Sequence, residues 1–404
     1  MRRALLAVMV LGSGLGAQAP MTPDQAVAMA RTRGPLAAAA AGRRLVTAGR
    51  GRTDAAWPNP TAEWRRENYD SPLQPDIFAT LQVPVDLTGR RLALRQAGSL
   101  AGQRGVADSA SAIRQLDVDV LRAFWRASLA NELETIAEGE REARERTATF
   151  DAQRFREGAV AEVSAMRTQL EADRARIASA AAQADAARAR ADLARLLGTT
   201  MDSLGPLQAV STGALEGIAV PDTSWTTVRA QRPDLAAARL AAAEGERRWR
   251  AEQRGLLGDL NVVGGYKGTG GYATGLLGVL VPLPLFNRNE GPRERTRGEY
   301  VIAHADLQDL ELRARGEVRA AAQAWDVVVA AGRAGAATLS ERATEVARIA
   351  EASYREGAIS LVELIEAQRA RSDARAAAAR WAHDAHLARL ELHRATGASL
   401  TRTP

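Results

Sequence analysis

The chain has 404 residues, with 54 Lys+Arg against 48 Asp+Glu and four His, for a formal charge of +6. It contains no cysteine, which excludes disulfide scaffolds, thiolate metal sites and cysteine nucleophiles, and no lipidated N-terminal cysteine is expected. Aromatics are only 4%, poor for a large globular core, whereas abundant Ala, Arg, Leu and Glu favour long helices, and no apolar run of ~20 residues is present to span a bilayer.

Met1-Arg2-Arg3, the apolar stretch Ala4–Leu11 and the small residues up to Ala19-Pro20 have the layout of a secretory signal peptide, residues 1–19. Cleavage after Ala19 fits A-x-A but leaves Pro20 behind the cut, so cleavage after Ala17 is the equal alternative. Its removal leaves a charge of about +4, which is modest and gives no argument for nucleic acid.

Residues 20–204 read as one structural unit. Thr22 to Arg50 reads as a helix capped by Thr22, and Trp57-Pro58-Asn59-Pro60 breaks it. Strands are expected over 61–68 and 76–87, separated by Asp70-Ser71-Pro72. In the second, Ile77, Ala79, Leu81, Val83 and Val85 alternate with Phe78, Thr80 and Gln82, so one face is apolar. A helical hairpin over 89–198 follows: a proline-free arm to about Phe155, roughly 90 Å long at 1.5 Å per residue, a reversal at Gly158, and a second arm from Glu162 to Leu197. Gly198 stands at its C′ position. Residues 205–221, with Gly205-Pro206, Gly213, Gly217 and Pro221, read as a linker.

Residues 222–404 repeat the plan. Asp222 to Arg254 is helical, strands are expected at 259–267 and 272–285 around the hairpin signal Gly268-Thr269-Gly270-Gly271, and a second helical hairpin covers 291–396. Its arms are Gly291 to about Tyr354 and Ser360 to Thr396. The repetition is explicit: Arg156-Glu157-Gly158-Ala159-Val160 recurs as Arg355-Glu356-Gly357-Ala358-Ile359, 199 residues on, and the same offset carries Gln169 to Gln368, Leu193 to Leu392 and Gly198 to Gly397.

Four strands cannot close a barrel in a bilayer, where eight is the smallest number, and an open sheet leaves backbone donors and acceptors bare at its edges. Pooled strands from three copies close it, so a homotrimer is expected. The helical arms are too charged for lipid and belong in water, and their alanine stripes (Ala175, Ala178, Ala182, Ala186, Ala189) allow close helix approach. No Ser/His/Asp set, phosphate loop or H-E-x-x-H is present, so no catalytic residues are assigned, and no cofactor is called for. His383, His386 and His393 lack a neighbouring carboxylate set, and no metal site is assigned to them.

Several phrases are recognisable: Val83-Pro84-Val85-Asp86-Leu87-Thr88-Gly89-Arg90-Arg91, Val281-Pro282-Leu283-Pro284-Leu285-Phe286-Asn287-Arg288-Asn289-Glu290-Gly291, Asn59-Pro60-Thr61, and the paired Phe155-x-x-Gly158 and Tyr354-x-x-Gly357. On these residues the chain resembles the TolC-type outer-membrane efflux proteins, and within them the heavy-metal (cobalt–zinc–cadmium) branch. The resemblance implies a mainly α fold with a small β part: a tandem repeat of helix, two strands and long helical hairpin. It further implies a trimer with a twelve-stranded outer-membrane β-barrel continued by a periplasmic α-helical barrel. The implied function is a passive duct for metal cations or small toxic compounds, working with a periplasmic adaptor and an inner-membrane pump of the resistance-nodulation-division type. Outer-membrane lipid is the implied surrounding, and nucleic acid is not a partner.

The resemblance also assigns residues. Arg156, Glu157, Gly158, Ala159 and Val160, with Arg355, Glu356, Gly357, Ala358 and Ile359, are the implied adaptor-docking tips. Glu363 and Glu366 share a helix face and are the implied acidic rings of the periplasmic aperture, with Arg167 placed to pair with Glu366. Pro84, Gly89, Arg90, Pro282, Pro284, Asn287, Arg288, Asn289 and Gly291 form the implied strand-to-helix junctions. Trp64, Phe78, Tyr266 and Tyr272 are candidates for aromatic belts or the lumen. A periplasmic coiled-coil adaptor is the alternative reading; its expected single hairpin flanked by β domains conflicts with two tandem hairpins and two strand pairs.

Overall fold

The computed structural model describes residues 19–68, 74–210, 220–255, 259–332, 335 and 337–400. The signal segment, the Asp70-Ser71-Pro72 turn and residues 211–219 of the linker lie outside the described residues.

The first repeat contains α1 (Pro23–Arg33), α2 (Pro35–Ala55), β1 (Thr61–Glu67), β2 (Asp76–Val85), α3 (Arg90–Arg156) and α4 (Glu162–Leu197). The second contains α5 (Trp225–Gln231), α6 (Pro233–Gln253), β3 (Leu260–Thr269), β4 (Tyr272–Leu280), α7 (Glu290–Ala331), α8 (Ala337–Arg355) and α9 (Leu361–Thr396). Thr22 caps α1 in a capping box with Gln25. The sequence reading runs one helix from Thr22 to Arg50, but the structure has two. Pro35 keeps Gly34 extended (φ −69°, ψ 136°), which stops α1 and opens α2. Arg232 before Pro233 does the same between α5 and α6.

α3 has 67 residues without a break, about 100 Å of helix. Its counterpart is not α-helical throughout. The expected arm from Gly291 to Tyr354 is α-helical over Glu290–Ala331 and Ala337–Arg355, and between these the described Gly332 and Gly335 lie in a π-helical turn, Gly335 at φ 118°. Two glycines, Gly332 and Gly335, stand where the first repeat has none, which weakens the helix there.

The four strands form one antiparallel sheet in the order β1-β2-β3-β4. β2 ends at Val85 and not at 87, because Asp86 turns the chain by accepting hydrogen bonds from the Thr88 N–H (2.8 Å) and the Arg91 N–H (2.6 Å). β4 ends at Leu280 and not at 285, since β3 begins at Leu260 and its first paired row is Asn261 with Leu280. β1 and β4 are the two edges.

The core sits at mid-height, where α1 and α5 fold against the hairpins. Phe124, Leu116, Val118 and Val120 of α3 pack with Leu193 and Leu197 of α4 and Val27 of α1. Trp325, Val318, Leu392 and Val228 form the second repeat's smaller version.

Candidate functional site: tips, aperture helices and sheet

Each hairpin reverses at a glycine in the left-handed region, Gly158 at φ 73° and Gly357 at φ 76°. The Gly158 N–H donates to the Phe155 carbonyl (2.9 Å) and the Ala159 N–H to that of Arg154 (2.8 Å). In the second repeat the Gly357 N–H donates to Tyr354 (3.0 Å) and the Ala358 N–H to Ser353 (2.8 Å). This paired C-cap requires a left-handed residue. A Cβ built on either glycine meets nothing within 4 Å, so φ, and not crowding, selects glycine. Arg156, Glu157 and Ala159 are exposed, as are Arg355, Glu356 and Ala358, while Val160 and Ile359 are half-buried.

Beyond the tips the repeats diverge. α4 starts without a side-chain cap. α9 starts with a capping box in which the Glu363 N–H donates to Ser360 Oγ (3.3 Å) and the Ser360 N–H donates to Glu363 Oε2 (2.7 Å). Those hydrogen bonds from the Ser360 backbone and hydroxyl hold Glu363 below the usual carboxylate range. Glu366, three residues on, is exposed, and among the described residues no hydrogen bond or ion pair engages it. Arg167 is exposed on α4 and does not meet Glu366 within one chain. The α4–α9 link is instead Arg369 Nη2 to Glu171 Oε2 at 2.7 Å.

Near the tips the two repeats are joined by a contact absent from the sequence reading. The Tyr354 hydroxyl donates to the Asp151 carboxylate, at 2.8 and 3.0 Å from its two oxygens. Tyr354 is 7% exposed and Asp151 0%. Burial, with the hydrogen bond to Asp151 adding, pushes the Tyr354 phenol up to about 12. Burial also raises Asp151, against the Tyr354 bond and Arg154. Phe150 packs edge-on to Tyr354, and the Arg154 guanidinium lies 5.5 Å from the Phe150 ring centre. Tyr354 was legible as part of a tip motif; its partner, 203 residues away, was not.

The strand-to-helix junctions converge on one carboxylate. Glu252, at the end of α6, accepts from Arg90 Nη2 (3.0 Å) and from Asn289 Nδ2 (2.9 Å). Arg90 and Asn289 stand at matching junctions of the two repeats, Asn289 as the cap of α7 and Arg90 as the residue after the cap of α3. Gly89 (φ 73°) and Asn289 (φ 62°) start α3 and α7 in the left-handed region, and Arg254 donates to the Gly89 carbonyl. Asn287 accepts from the Asn289 N–H at 3.0 Å. Pro84 lies inside β2 opposite Asn261. Pro282, Arg288 and Gly291 are exposed and Pro284 half-buried, so these four stand apart from the Glu252 cluster.

Register sorts the sheet into two faces. Trp64, Ala79 and Tyr266 form one cross-strand row, on the face that carries Leu81, Val262, Leu277 and Val279. The opposite face carries Glu63, Arg65, Glu67, Thr80, Gln82 and Lys267. Phe78 is on that polar face, between the Arg65 guanidinium (4.7 Å) and the Lys267 ammonium (5.2 Å). Tyr272, 80% exposed, shares its parity at the hairpin end.

The three histidines of α9 have separate partners. His383 meets Asp384, His386 stacks on Trp125 at 3.8 Å, and His393 Nδ1 lies 2.6 Å from the Ser399 carbonyl. Among the described residues no group of three His, Asp or Glu side chains is placed to hold a metal.

The family model described as "Outer membrane efflux protein" matches residues 37–199 and 226–398, one segment per repeat. No curated protein matches the chain. Among solved structures, the outer membrane protein VceC of Vibrio cholerae superposes with a TM-score of 0.77 at 18% identity, covering 94% of this chain and 97% of that one. The CmeC outer membrane channel of Campylobacter jejuni gives 0.81 at 17% identity, over 93% and 85%. The open-state MtrE outer membrane channel of Neisseria gonorrhoeae gives 0.77 at 18% identity, over 94% and 90%.

Proposed function

We propose, for a chain that belongs to the outer membrane efflux protein family, that it forms a passive trimeric duct: the outer-membrane part of a tripartite efflux assembly with a periplasmic adaptor and an inner-membrane pump. Its place is the outer membrane, with the helical hairpins extending into the periplasm.

The sheet is the observation that carries the trimer. One face is apolar except for Arg66 at the hairpin end, the other carries the remaining charges beside Val263, Leu276 and Leu280, and two edges are bare. In lipid such edges are untenable, and closure with two further copies satisfies them with the apolar face outward and the charged face lining the lumen. The segment after β4 supports this. Val281 and Leu283 are exposed, although the matching Val83 and Val85 of β2 are paired with β3. The partner that would cover them is β1 of the next copy.

In this reading the tips around Gly158 and Gly357 dock the adaptor. Glu366, repeated by the threefold axis, forms an acidic ring that favours cations, with Glu363 beside it at the start of α9. Arg167 is available to Glu366 only across a subunit boundary. The junction phrases at 83–91 and 281–291 support the heavy-metal branch, and the cargo in this reading is metal cations or small toxic compounds.

The test is purification of the mature chain in detergent, light scattering for mass, and recording in planar bilayers. A trimer that conducts supports the duct. A monomer that stays in solution without detergent overturns it.

A further inference from the structure

At mid-height three arginines from different elements meet where the first repeat packs on the second. Arg232, held extended by Pro233, is 5% exposed. It donates through Nε (3.1 Å) and Nη2 (2.6 Å) to the two oxygens of Asp234, and through Nη1 to Glu317 (2.8 Å). Arg394, in the last turn of α9, spends Nε on Glu391 (2.7 Å) and Nη1 on the same Glu317 (3.3 Å). Arg114 comes from α3. Its Nη2 donates to the carbonyls of His393 (2.5 Å) and Ala398 (2.8 Å), which caps the end of α9. Among the described residues no carboxylate forms an ion pair with Arg114.

The three guanidiniums line a cavity of about 60 Å³, together with Ser111 and the start of α6. The acceptors of its lining are taken. Asp234 Oδ1 receives Arg232 Nε and the Leu235 N–H (2.9 Å), and Oδ2 receives Arg232 Nη2. The donors are not. Ser111 Oγ, Arg114 Nε and Nη1, and Arg394 Nη2 have no acceptor among the described residues. Ser111 and Arg114, three apart, share one face of α3.

Charge is unbalanced in the same sense. Arg31 pairs with Asp117 and Arg122 with Glu391, so these four cancel. Asp234 and Glu317 offset two of the three lining guanidiniums. The positive start of α6 and the negative end of α9 roughly cancel. One positive charge is left over. Burial, with repulsion from Arg232 and Arg394, lowers the Arg114 pKa in spite of Asp117 and Asp234. The cavity admits a monatomic ion or a few waters, and falls far short of the ~150 Å³ that takes a benzene ring.

We infer that this cavity binds a single halide ion through the Ser111 hydroxyl, Arg114 and Arg394, and that the ion fastens α3 of the first repeat to α6 and α9 of the second. The site goes beyond the duct and does not depend on how many copies assemble.

The test unfolds the full chain thermally in detergent at fixed ionic strength, as sodium gluconate, whose anion is too large for the cavity, is replaced by sodium chloride. Screening then stays constant, and a shift reports binding to the folded chain. The expected result is a saturable rise in Tm of about 1–2 °C, reproduced by bromide. Ser111→Asp places a tethered carboxylate beside Arg114. It should unfold above the parent in gluconate and lose the chloride response. Arg114→Gln removes the charge and should lose the response too. Arg122→Gln, beside Glu391 but outside the cavity lining, should keep it. A parent Tm that stays the same from gluconate to chloride overturns the inference. An equal response in the parent and Ser111→Asp also overturns it, as a general effect of salt. If Arg114→Gln does not fold, the Ser111→Asp comparison decides alone.

Discussion

Replacing Tyr354 by Phe removes one hydroxyl and leaves the Asp151 carboxylate, fully enclosed between α3 and α8, without that donor. Loss of a hydrogen bond to a buried charged group costs about 1.5–3 kcal/mol. The Phe ring keeps its edge contact with Phe150, so the loss is confined to the hydroxyl. A cost of about 2 kcal/mol per chain is a factor of about 30 in the equilibrium between a joined and a parted seam. Because the bond lies a turn from Gly357, parting it frees the second tip from the first. Tyr354→Phe is therefore expected to raise open probability or conductance in bilayer recordings, with trimer mass unchanged. Asp151→Asn in the same background should restore part of the closed behaviour, since a neutral amide tolerates the missing donor better than a charge. If Tyr354→Phe channels match the parent in conductance and gating, the seam does not restrain the aperture and this reasoning is wrong.

pH acts on the same bond with a definite sign. Tyr354 has its folded pKa raised to about 12, so its contribution is complete below the ordinary value of 10 and is lost as pH climbs from there through about 12. Asp151 is also raised, so acidification through the carboxylate range favours the joined state; opening confined to acid would contradict both. Glu363→Ala with Glu366→Ala is expected to raise single-channel conductance and lower cation preference; unchanged selectivity would remove the ring assignment. Lys267→Glu reverses the charge of the chain's only lysine, which has no carboxylate partner among the described residues. It should shift the reversal potential toward cations and leave trimer mass alone; an unshifted potential would place Lys267 outside the lumen. A Cβ at Gly332 would sit 2.2 Å from the Trp381 ring, whereas one at Gly316 meets nothing within 4 Å. Gly332→Ala should destabilise by about 1–3 kcal/mol and Gly316→Ala stabilise by about 0.5–1 kcal/mol in thermal unfolding, an order that reversed results would refute.

The sequence was most legible where a residue's type answers a local demand. Gly158 and Gly357 mark reversals because a paired C-cap needs positive φ, and the alternation Ile77 to Val85 shows a two-faced strand because side chains alternate across a sheet. Thr22 and Ser360 announce helix starts by their own side chains. Contacts set by the packing of distant segments were hidden. Nothing near Asp151 in the sequence points to Tyr354, and nothing near Glu252 shows that two junctions tie to it. Pro35 and Pro233 each permit a helix start or a kink, and the extended conformation of the preceding residue settles which. The split of Trp64 and Tyr266 from Phe78 needed the pairing register, which fixes both faces at once.

The two hairpins have diverged in the continuity of their long arms, and in the proposed duct the divergence would decide which hairpin bends. α3 is one uninterrupted strut from the sheet to the tip, tied at its top through Arg90 to Glu252 and pinned along its length by α2, α4 and α6. The second hairpin is tied to the same Glu252 through Asn289, so the tops of both struts are held to one point and cannot separate there. Below mid-height, however, the α-helical arm of the second strut passes from Ala331 to Ala337 through a π-helical turn at Gly332 and Gly335, and the Trp381 indole donates to the Val328 carbonyl at that level, 3.1 Å away. α8 packs chiefly on α9. Bending concentrates where a helix is interrupted. Tyr354 and Glu366 both belong to the segment beyond that interruption, whereas Asp151 belongs to the continuous strut. In the proposed duct, bending at this level would carry Glu366 with the second hairpin while the continuous α3 strut and the sheet above keep their places.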